Sequence, residues 1–593
     1  MRYPKLCQNP QLYWGFIYLV PLVLLIGFVS HFGPSIPLSD EWRIVNFFEK
    51  FHEGSRQVSD FFYENNEHLS LSPLVLVTFF AFLSNWDLQC DRYLGVFFSA
   101  LTFLSIYYLS HKQSARNLDL NSYYFHAANI LSCILIFSLV QWEIWLWGWA
   151  SVMWQLTNVC FMLALISLYC FQRLPGLVRL AIAAIFCAIA SFSAGYGLMS
   201  WLVLIPAVFL LDHRLKYRIF NITFWISLFI LIFGFYTDNY QAQSDINFIF
   251  KHPLFSFQYW LNLSGSPLAS SFFLSSQELG LGLSSIIGGV MLTTFLLLAI
   301  LLIWKRNSIA SEVIPWISLG LFSILFGLLT TLGRAKFGIE NPTWSMSSRY
   351  NTASIFLVIS LVQIISLIIR QRRTHIKVLR RKGVRLFSRC LVSLITVGIF
   401  ISHSMLGLSQ GKLFHVNRSK VGRCLEVIHF MEPPFLGCLQ YEYSSVNGNV
   451  GIFSKTLENI GFRSFPKDIQ FNEDPSREYG QIEVPETIEI HSQTNVEEKM
   501  QLSGWIKVSD KAIKKGVLLL LSYENKRTFF ASQLLGSDAV IRPEISGEEI
   551  VGLNWTIDCP IALIPSEKRV IKAWIYQSGS KQFNQLSGAI FIQ

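Results

Sequence analysis

A polar segment follows the first apolar stretch of this chain. It opens Pro37-Leu38-Ser39-Asp40-Glu41-Trp42 and runs on to Asn65-Asn66-Glu67-His68. Adjacent carboxylates held beside a bilayer can supply a general base that takes the proton of an acceptor hydroxyl, alone or with a metal ion. The same pair also suits the first turn of a helix, where acids meet the positive end of the dipole. Spacing alone leaves both readings open for Asp40 and Glu41. Glu67 and His68 could bind substrate hydroxyls beside Asp40, or belong to a solvated turn in which Asn ends a helix.

Two further clusters combine charge with aromatic surface. In Gln141-Trp142-Glu143-Ile144-Trp145-Leu146-Trp147-Gly148-Trp149 the indoles suit an interfacial belt. Glu143 is a lone acid among them, and charge near membrane depth is costly enough to suggest a function such as substrate binding. The second cluster is Gly333-Arg334-Ala335-Lys336-Phe337-Gly338 with Ser347-Ser348-Arg349-Tyr350. An arginine fork holds phosphate oxygens bidentately. Arg334, Lys336 and Arg349, with the Tyr350 phenol, could therefore grip a lipid phosphate, or the cations could snorkel toward ordinary head groups.

The elements that must position these residues are mostly apolar. Of 593 residues 52% are hydrophobic, 15% aromatic and only 15% charged, with a mean hydropathy of +0.42. That excludes an ordinary soluble globule. With a span needing roughly 20 apolar residues, about eleven stretches read as spans: 12–30, 92–110, 122–140, 154–171, 177–193, 198–211, 219–236, 281–304, 313–332, 351–369 and 390–408. The first is too long and aromatic for a signal-peptide core.

The net charge of +10 is concentrated in the connections. Nine basic residues lie between Arg370 and Arg389, flanked by spans. Loops 111–121, 172–179, 212–218 and 305–312 are basic as well, whereas the first loop is acidic. Under the positive-inside rule this predicts a cytoplasmic N-terminus and an external first loop, and makes nucleic acid the poorer partner. Segment 72–83 is apolar but short, so it is expected not to cross; a crossing there would reverse every later loop.

Within the first loop, Ile44, Phe47, Phe48 and Phe51 recur at helical spacing, with Arg43, Asn46, Glu49, Lys50 and Glu53 on other faces and Gly54 placed to stop the helix. The expectation is an amphipathic helix on the membrane surface, capped by Ser39. After residue 410 charge becomes frequent. Short runs at 489–493, 501–508, 517–522, 528–534, 551–557, 570–576 and 589–592 predict strands of a β-sandwich-like domain, external if eleven spans precede it. The ten cysteines make no metal-ligand spacing. Cys424 and Cys438, in the polar tail, are expected to pair as a disulfide.

This arrangement resembles the GT-C class of membrane glycosyltransferases, in the bacterial branch related to lipid A aminoarabinose transferases and protein O-mannosyltransferases. Asp40-Glu41 matches the acidic pair that follows the first span in that class. Asn66-Glu67-His68 through Pro73 to Asp91-Arg92 resembles the second half of its external loop. Arg334, Lys336, Arg349 and Tyr350 occupy the place of its phosphate-binding loop. The resemblance covers roughly residues 1–408 and rests on short motifs; the Lys-Pro-Pro stretch of the aminoarabinose branch is missing.

It implies a mainly α, polytopic protein of the bacterial inner membrane; with the strand pattern and charge of the tail, the chain reads as three parts. These are a transmembrane domain over 1–408 with its external loop at 31–91, a small mixed region at 409–480, and the extracytoplasmic β domain at 481–593. It implies a glycosyltransferase taking sugar from a polyprenyl-phosphate donor, with a glycan, lipid or protein as acceptor. A metal requirement varies within the class, so no cofactor is certain and a divalent Mg or Mn ion is compatible. A lipid-linked sugar flippase should carry charges or helix breakers deep in several spans, which are scarce here. A membrane-anchored carbohydrate-binding protein would need far fewer spans.

Overall fold

The computed structural model describes residues 10–62, 64–65, 68–117, 123–211, 214–238, 246–274, 276–304, 310–372, 382–437, 450–483, 499–509, 512–513, 516–524, 527–535, 541–542, 550–560, 570–577 and 581–591. The chain divides into two compact units, Met1–Gly33 with Gln57–Leu413, and Pro34–Arg56 with Phe414–Gln593.

In the first unit the apolar runs become helices. Among the described residues nine helices in the chain are long and apolar enough to cross a membrane: Trp14–Phe32, Leu88–Gln113, Tyr123–Leu146, Gly148–Cys170, Leu215–Asp238, Gln277–Trp304, Glu312–Gly338, Pro342–Arg370 and Leu386–Glu426. The expected count of eleven is not reached. The stretches at 177–193 and 198–211 form only the shorter helices Gly176–Ser191 and Gly195–Phe209. The reason is the turn between them: a Cβ on Gly197 would sit 2.1 Å from the Ala190 carbonyl oxygen, so only glycine lets the chain fold back so tightly. Pro206 then begins a fresh helical turn after Leu204. Segment 72–83 lies in Leu71–Ser84, whose 14 residues reach about 21 Å, short of the roughly 30 Å hydrocarbon core.

Helix Gly148–Cys170 is the centre of this unit, with 94% of its apolar window buried. Helix Leu88–Asn117 approaches it so closely that a Cβ on Gly95 would meet Ser151 Oγ at 1.9 Å. Phe161 stacks on Phe322 with centroids 4.0 Å apart. Polar side chains inside the bundle satisfy one another, as lipid demands. Gln363 Nε2 donates to Asn129 Oδ1 (3.3 Å) and Ser132 Oγ (3.1 Å), while Ser110 donates to Gln363 Oε1 (3.2 Å). The helices Trp14–Phe32, Leu215–Asp238 and Gln277–Trp304 are among the outer ones, with only 22%, 17% and 28% of their windows buried. Such exposed apolar length belongs to a membrane protein. Helix Pro253–Ala269 crosses Gln277–Trp304 through paired glycines; a Cβ on Gly288 would lie 2.0 Å from the Leu261 carbonyl oxygen, and one on Gly265 2.0 Å from that of Ser284.

The second unit joins the first polar segment to the tail. A 3-10 turn Ser39–Ile44 leads into the helix Val45–Glu53, which Gly54 ends in the left-handed conformation (φ 70°). The predicted stripe is present, but it faces protein: Phe48 is fully buried and meets Phe462 edge-on at 5.5 Å, and Thr456 of helix Val450–Ile460 donates to Glu49 (3.2 Å). That corrects the expectation of a helix resting on the membrane surface.

Beside it, Glu458 accepts from the Phe465 N–H (3.0 Å), pairs with His429 (3.0 Å) and meets Lys467 (3.3 Å). Burial pushes this carboxyl up, but the Phe465 N–H, His429 and Lys467 outweigh it and hold it below its usual range. Cys424 is in a disulfide; its expected partner Cys438 lies outside the described residues.

A two-residue hairpin in the first unit, β1 (Glu64–Asn65) and β2 (His68–Leu69), precedes the strands of the tail. These are β3 (Met431–Gly437), β4 (Gln470–Glu483), β5 (Lys499–Ser509), β6 (Val517–Tyr523), β7 (Phe529–Leu535), β8 (Ile541–Arg542), β9 (Ile550–Pro560), β10 (Val570–Gln577), β11 (Gln582–Ser587) and β12 (Ile590–Phe591). They form one continuous sheet in the order β3-β7-β6-β10-β11-β4-β5-β9-β8, with β12 beside β10. The expected sandwich is thus a half-barrel, not two separate sheets. Its hinge is β4, whose start pairs parallel with β11 and whose end pairs antiparallel with β5, across register shifts. Leu519 and Leu521 of β6 therefore share a core with Leu502 and Ile506 of β5 and Trp555 of β9.

Candidate functional site: a cavity built on Glu143 and Arg349

The sequence Ser347-Ser348-Arg349 forms a turn that Glu143 organises. The Glu143 N–H donates to Ser348 Oγ (3.0 Å). Its Oε2 accepts from Ser347 Oγ (3.1 Å) and from the Arg349 N–H (3.4 Å), while Oε1 meets Arg349 Nη1 at 3.5 Å. One carboxylate at the start of the short helix Trp142–Leu146 thus fixes the entrance to the helix Asn351–Arg372. The other end of that short helix is held in turn, because fully buried Arg92 donates Nε to the Leu146 carbonyl (3.0 Å).

Around this pair lies a cavity of about 390 Å³, lined among others by Trp142, Ser270, Asn341, Trp344, Asn351 and Gln410. From two of its lining residues, Arg349 and Trp344, a ladder of cations and rings runs on to Phe337 and Arg334. The Arg349 guanidinium lies 5.9 Å from the Trp344 ring, Trp344 stacks on Phe337 (5.8 Å), and Arg334 lies 5.7 Å from the Phe337 ring. Both rings are exposed. Each cation is drawn to the negative face of its ring, so two guanidiniums separated in sequence are spaced along one ledge. Asn341 shapes the ledge by accepting from the Thr343 N–H (3.1 Å) and hydroxyl (2.6 Å).

The remaining sequence-derived residues fall out as follows. Lys336 is exposed on the 3-10 turn Ala335–Gly338, beside the ladder. Tyr350 turns inward: it is buried, with its ring against Trp154 (6.2 Å) and Phe326 (6.4 Å). His68 accepts the Gly195 N–H on Nδ1 (3.1 Å), tying β2 to the turn between the two short helices. Glu67 lies outside the described residues.

Asp40 and Glu41 belong to the second unit. Both lie in the first turn of the 3-10 segment Ser39–Ile44 and are buried. Glu41 is occupied as a cap, its Oε2 accepting the Leu38 N–H at 2.6 Å. Asp40 keeps company with Arg43 (3.8 Å). The cap residue is Leu38, not Ser39 as expected; Ser39 is the first residue of the turn and takes a positive φ of 40°, a strained setting for a non-glycine residue.

Sequence reasoning missed Arg92, Ser347 and Ser348 as positioning groups and Trp344 and Phe337 as the rings of the ladder. Phe337 and Trp344 stand seven residues apart, a spacing that shares a face in a continuous helix, but they lie on two separate 3-10 turns, Ala335–Gly338 and Pro342–Met346, so their stacking follows from the loop and not from periodicity. Among the described residues no three His, Cys, Asp or Glu side chains gather as a metal site. No protein-family model matches the chain, and no curated protein matches it.

Proposed function

We propose that this protein is an integral membrane glycosyltransferase of the GT-C kind. It would transfer sugar from a polyprenyl-phosphate donor to a glycan, lipid or protein acceptor at the extracytoplasmic face. The observation that carries the reading is the Arg334–Phe337–Trp344–Arg349 ladder, whose last two members line the Glu143 cavity. Guanidiniums suit a phosphate, exposed rings suit the apolar face of a sugar, and the cavity volume of about 390 Å³ lies within the usual range of ligand sites.

In this mechanism the acceptor oxygen attacks the anomeric carbon and gives up its proton to a general base, the role that the resemblance to the GT-C class implies for Asp40. The bond from that carbon to the phosphate oxygen breaks, and its electron pair leaves on the lipid phosphate. Arg349 and Arg334 stabilise the charge that develops there. The Arg349–Glu143 ion pair meets at Nη1 (3.5 Å), and in this reading Glu143 orients the fork. Glu41, being the cap, supports the turn that carries Asp40.

Mass spectrometry of surface glycans from cells with and without the protein tests the reading. A sugar that disappears with the protein and returns with the wild-type gene, but not with Asp40→Asn, is the expected result. Unchanged glycans together with loss of translocation of a lipid-linked sugar would replace transfer by transport.

A further inference from the structure

A second cavity, of about 580 Å³, opens at the opposite end of the helical unit. Helix Gly148–Cys170 starts beside the Glu143 cavity and ends in this one through Leu168, Tyr169 and Cys170. Helix Ala310–Arg334 runs the other way, from Glu312 and Pro315 here to Arg334 on the ladder. At about 1.5 Å per residue, the 23 residues of the first helix place the two cavities about 34 Å apart, slightly more than a bilayer's hydrocarbon core.

The described lining residues include three cations, Lys112, Arg179 and Arg218, against one acid, Glu312. The cations come from three different helices and are held from the protein side. Lys112 donates to the Cys170 carbonyl. Arg179 donates to the carbonyls of Leu168 (3.1 Å) and Leu211 (3.4 Å), and Arg218 lies over the Phe209 ring at 4.9 Å. Side chains that merely snorkel extend away from the protein into water; these are half-buried and converge. An adjoining cavity of about 660 Å³ shares Lys112, Cys170 and Gln172 and adds His111 and Arg173, extending the positive field. On the rim, Phe209, Leu210, Leu215 and Ile219 expose apolar surface continuous with the outer helix Leu215–Asp238.

We propose that this cavity is a second binding site, for a phosphate group, and that a lipid supplies the phosphate, its acyl chains lying along the exposed apolar rim. Cations fixed by backbone carbonyls are preorganised for an anion, and the apolar border favours a headgroup over a free ion. The inference does not depend on glycosyl transfer; it requires only that the first unit lie in a membrane.

The test uses the full chain in detergent, with its thermal midpoint followed as lipid is titrated. Phosphatidylglycerol should raise the midpoint of the wild type. Arg218→Gln should weaken that response about tenfold in apparent affinity, the usual worth of one charge-assisted contact. Gln172→Glu, which adds a carboxylate at an exposed lining position, should do the same. Inorganic phosphate at matched concentration is the comparison: no response supports a lipid source. An equal response that both variants weaken keeps the site but assigns it to a free anion. A wild-type response to phosphatidylglycerol in both variants, or no response from the wild type to either ligand, overturns the proposal.

Discussion

Replacing Arg349 by lysine separates a phosphate grip from a membrane-surface charge. The wild-type guanidinium meets Glu143 at 3.5 Å and lies 5.9 and 5.4 Å from the rings of Trp344 and Tyr350. Lysine keeps the charge but loses the planar fork and most of the ring stacking. The ion pair is partly open to solvent, with side-chain exposures of 25% and 22%, so its net worth to folding is about 1 kcal/mol or less. The backbone N–H of residue 349 still reaches Glu143 after the change. Thermal stability should therefore move by only a few degrees.

Donor binding should respond far more. Losing one of two charge-assisted bonds to a phosphate costs about 1.5–3 kcal/mol, a factor of about 10–150 in affinity. Binding of a polyprenyl-phosphate sugar to purified, detergent-solubilised Arg349→Lys protein, compared with the wild type, reads this directly, with the melting midpoint as control. Wild-type donor affinity in the lysine variant would refute a bidentate grip and return Arg349 to holding Glu143 in place. A large fall in the melting midpoint would refute the argument that the pair contributes little to folding.

Four other outcomes follow from the same geometry. Asp40→Asn should slow transfer by about a hundredfold or more, while membrane-protein level stays near normal, since a first-turn acid is worth under about 1 kcal/mol; near-normal turnover would remove it as the base. Single cysteines at Ser476 and Lys382, probed in intact cells with an impermeant thiol reagent, should label at Ser476 and stay protected at Lys382; the reverse pattern would invert the orientation. Glu458→Gln should destabilise the second unit by about 1–3 kcal/mol near neutral pH. Because the native carboxyl is held below its usual range, its stabilisation is complete above the unfolded value of about 4.3 and lost as pH falls through the lower folded value. The difference in melting between the two proteins should therefore shrink toward acid, and a constant difference would refute it. Gly288→Val should impair folding of the full chain, because a Cβ alone already meets the Leu261 carbonyl oxygen at 2.0 Å; normal expression and melting would show that the two helices can separate.

The long apolar runs were legible because a span needs only length and composition, and nine of the eleven expected stretches are present as long helices. The two that fell short depend on Gly197 and Pro206, whose effect is a tertiary fold-back that hydropathy does not register. In the tail, β5, β6, β7, β9 and β10 alternate or concentrate apolar residues and were readable. By contrast β4, Gln470-Phe471-Asn472-Glu473-Asp474-Pro475, is polar and proline-bearing, and it reads as a loop. It is the strand on which the sheet turns, so missing it meant expecting two sheets where one curls.

The candidate site shows the same division between chemistry that composition signals and geometry that it does not. Glu143 and Arg349 each stood out alone, as an acid among indoles and a cation against the charge bias. Their pairing across 206 positions could not be read from either neighbourhood. The amphipathic stripe of Ile44, Phe47, Phe48 and Phe51 carries a further lesson. A stripe one helix face wide states that an apolar partner exists, but lipid tails and the rings of Phe462 satisfy it equally well. Because the partner is protein, the helix that follows Asp40 folds with the tail. A lesion in the Val450–Ile460 helix should then disturb the turn carrying Asp40 as much as a lesion in the turn itself, which ties the proposed base to the integrity of a domain the sequence gives no reason to link with it.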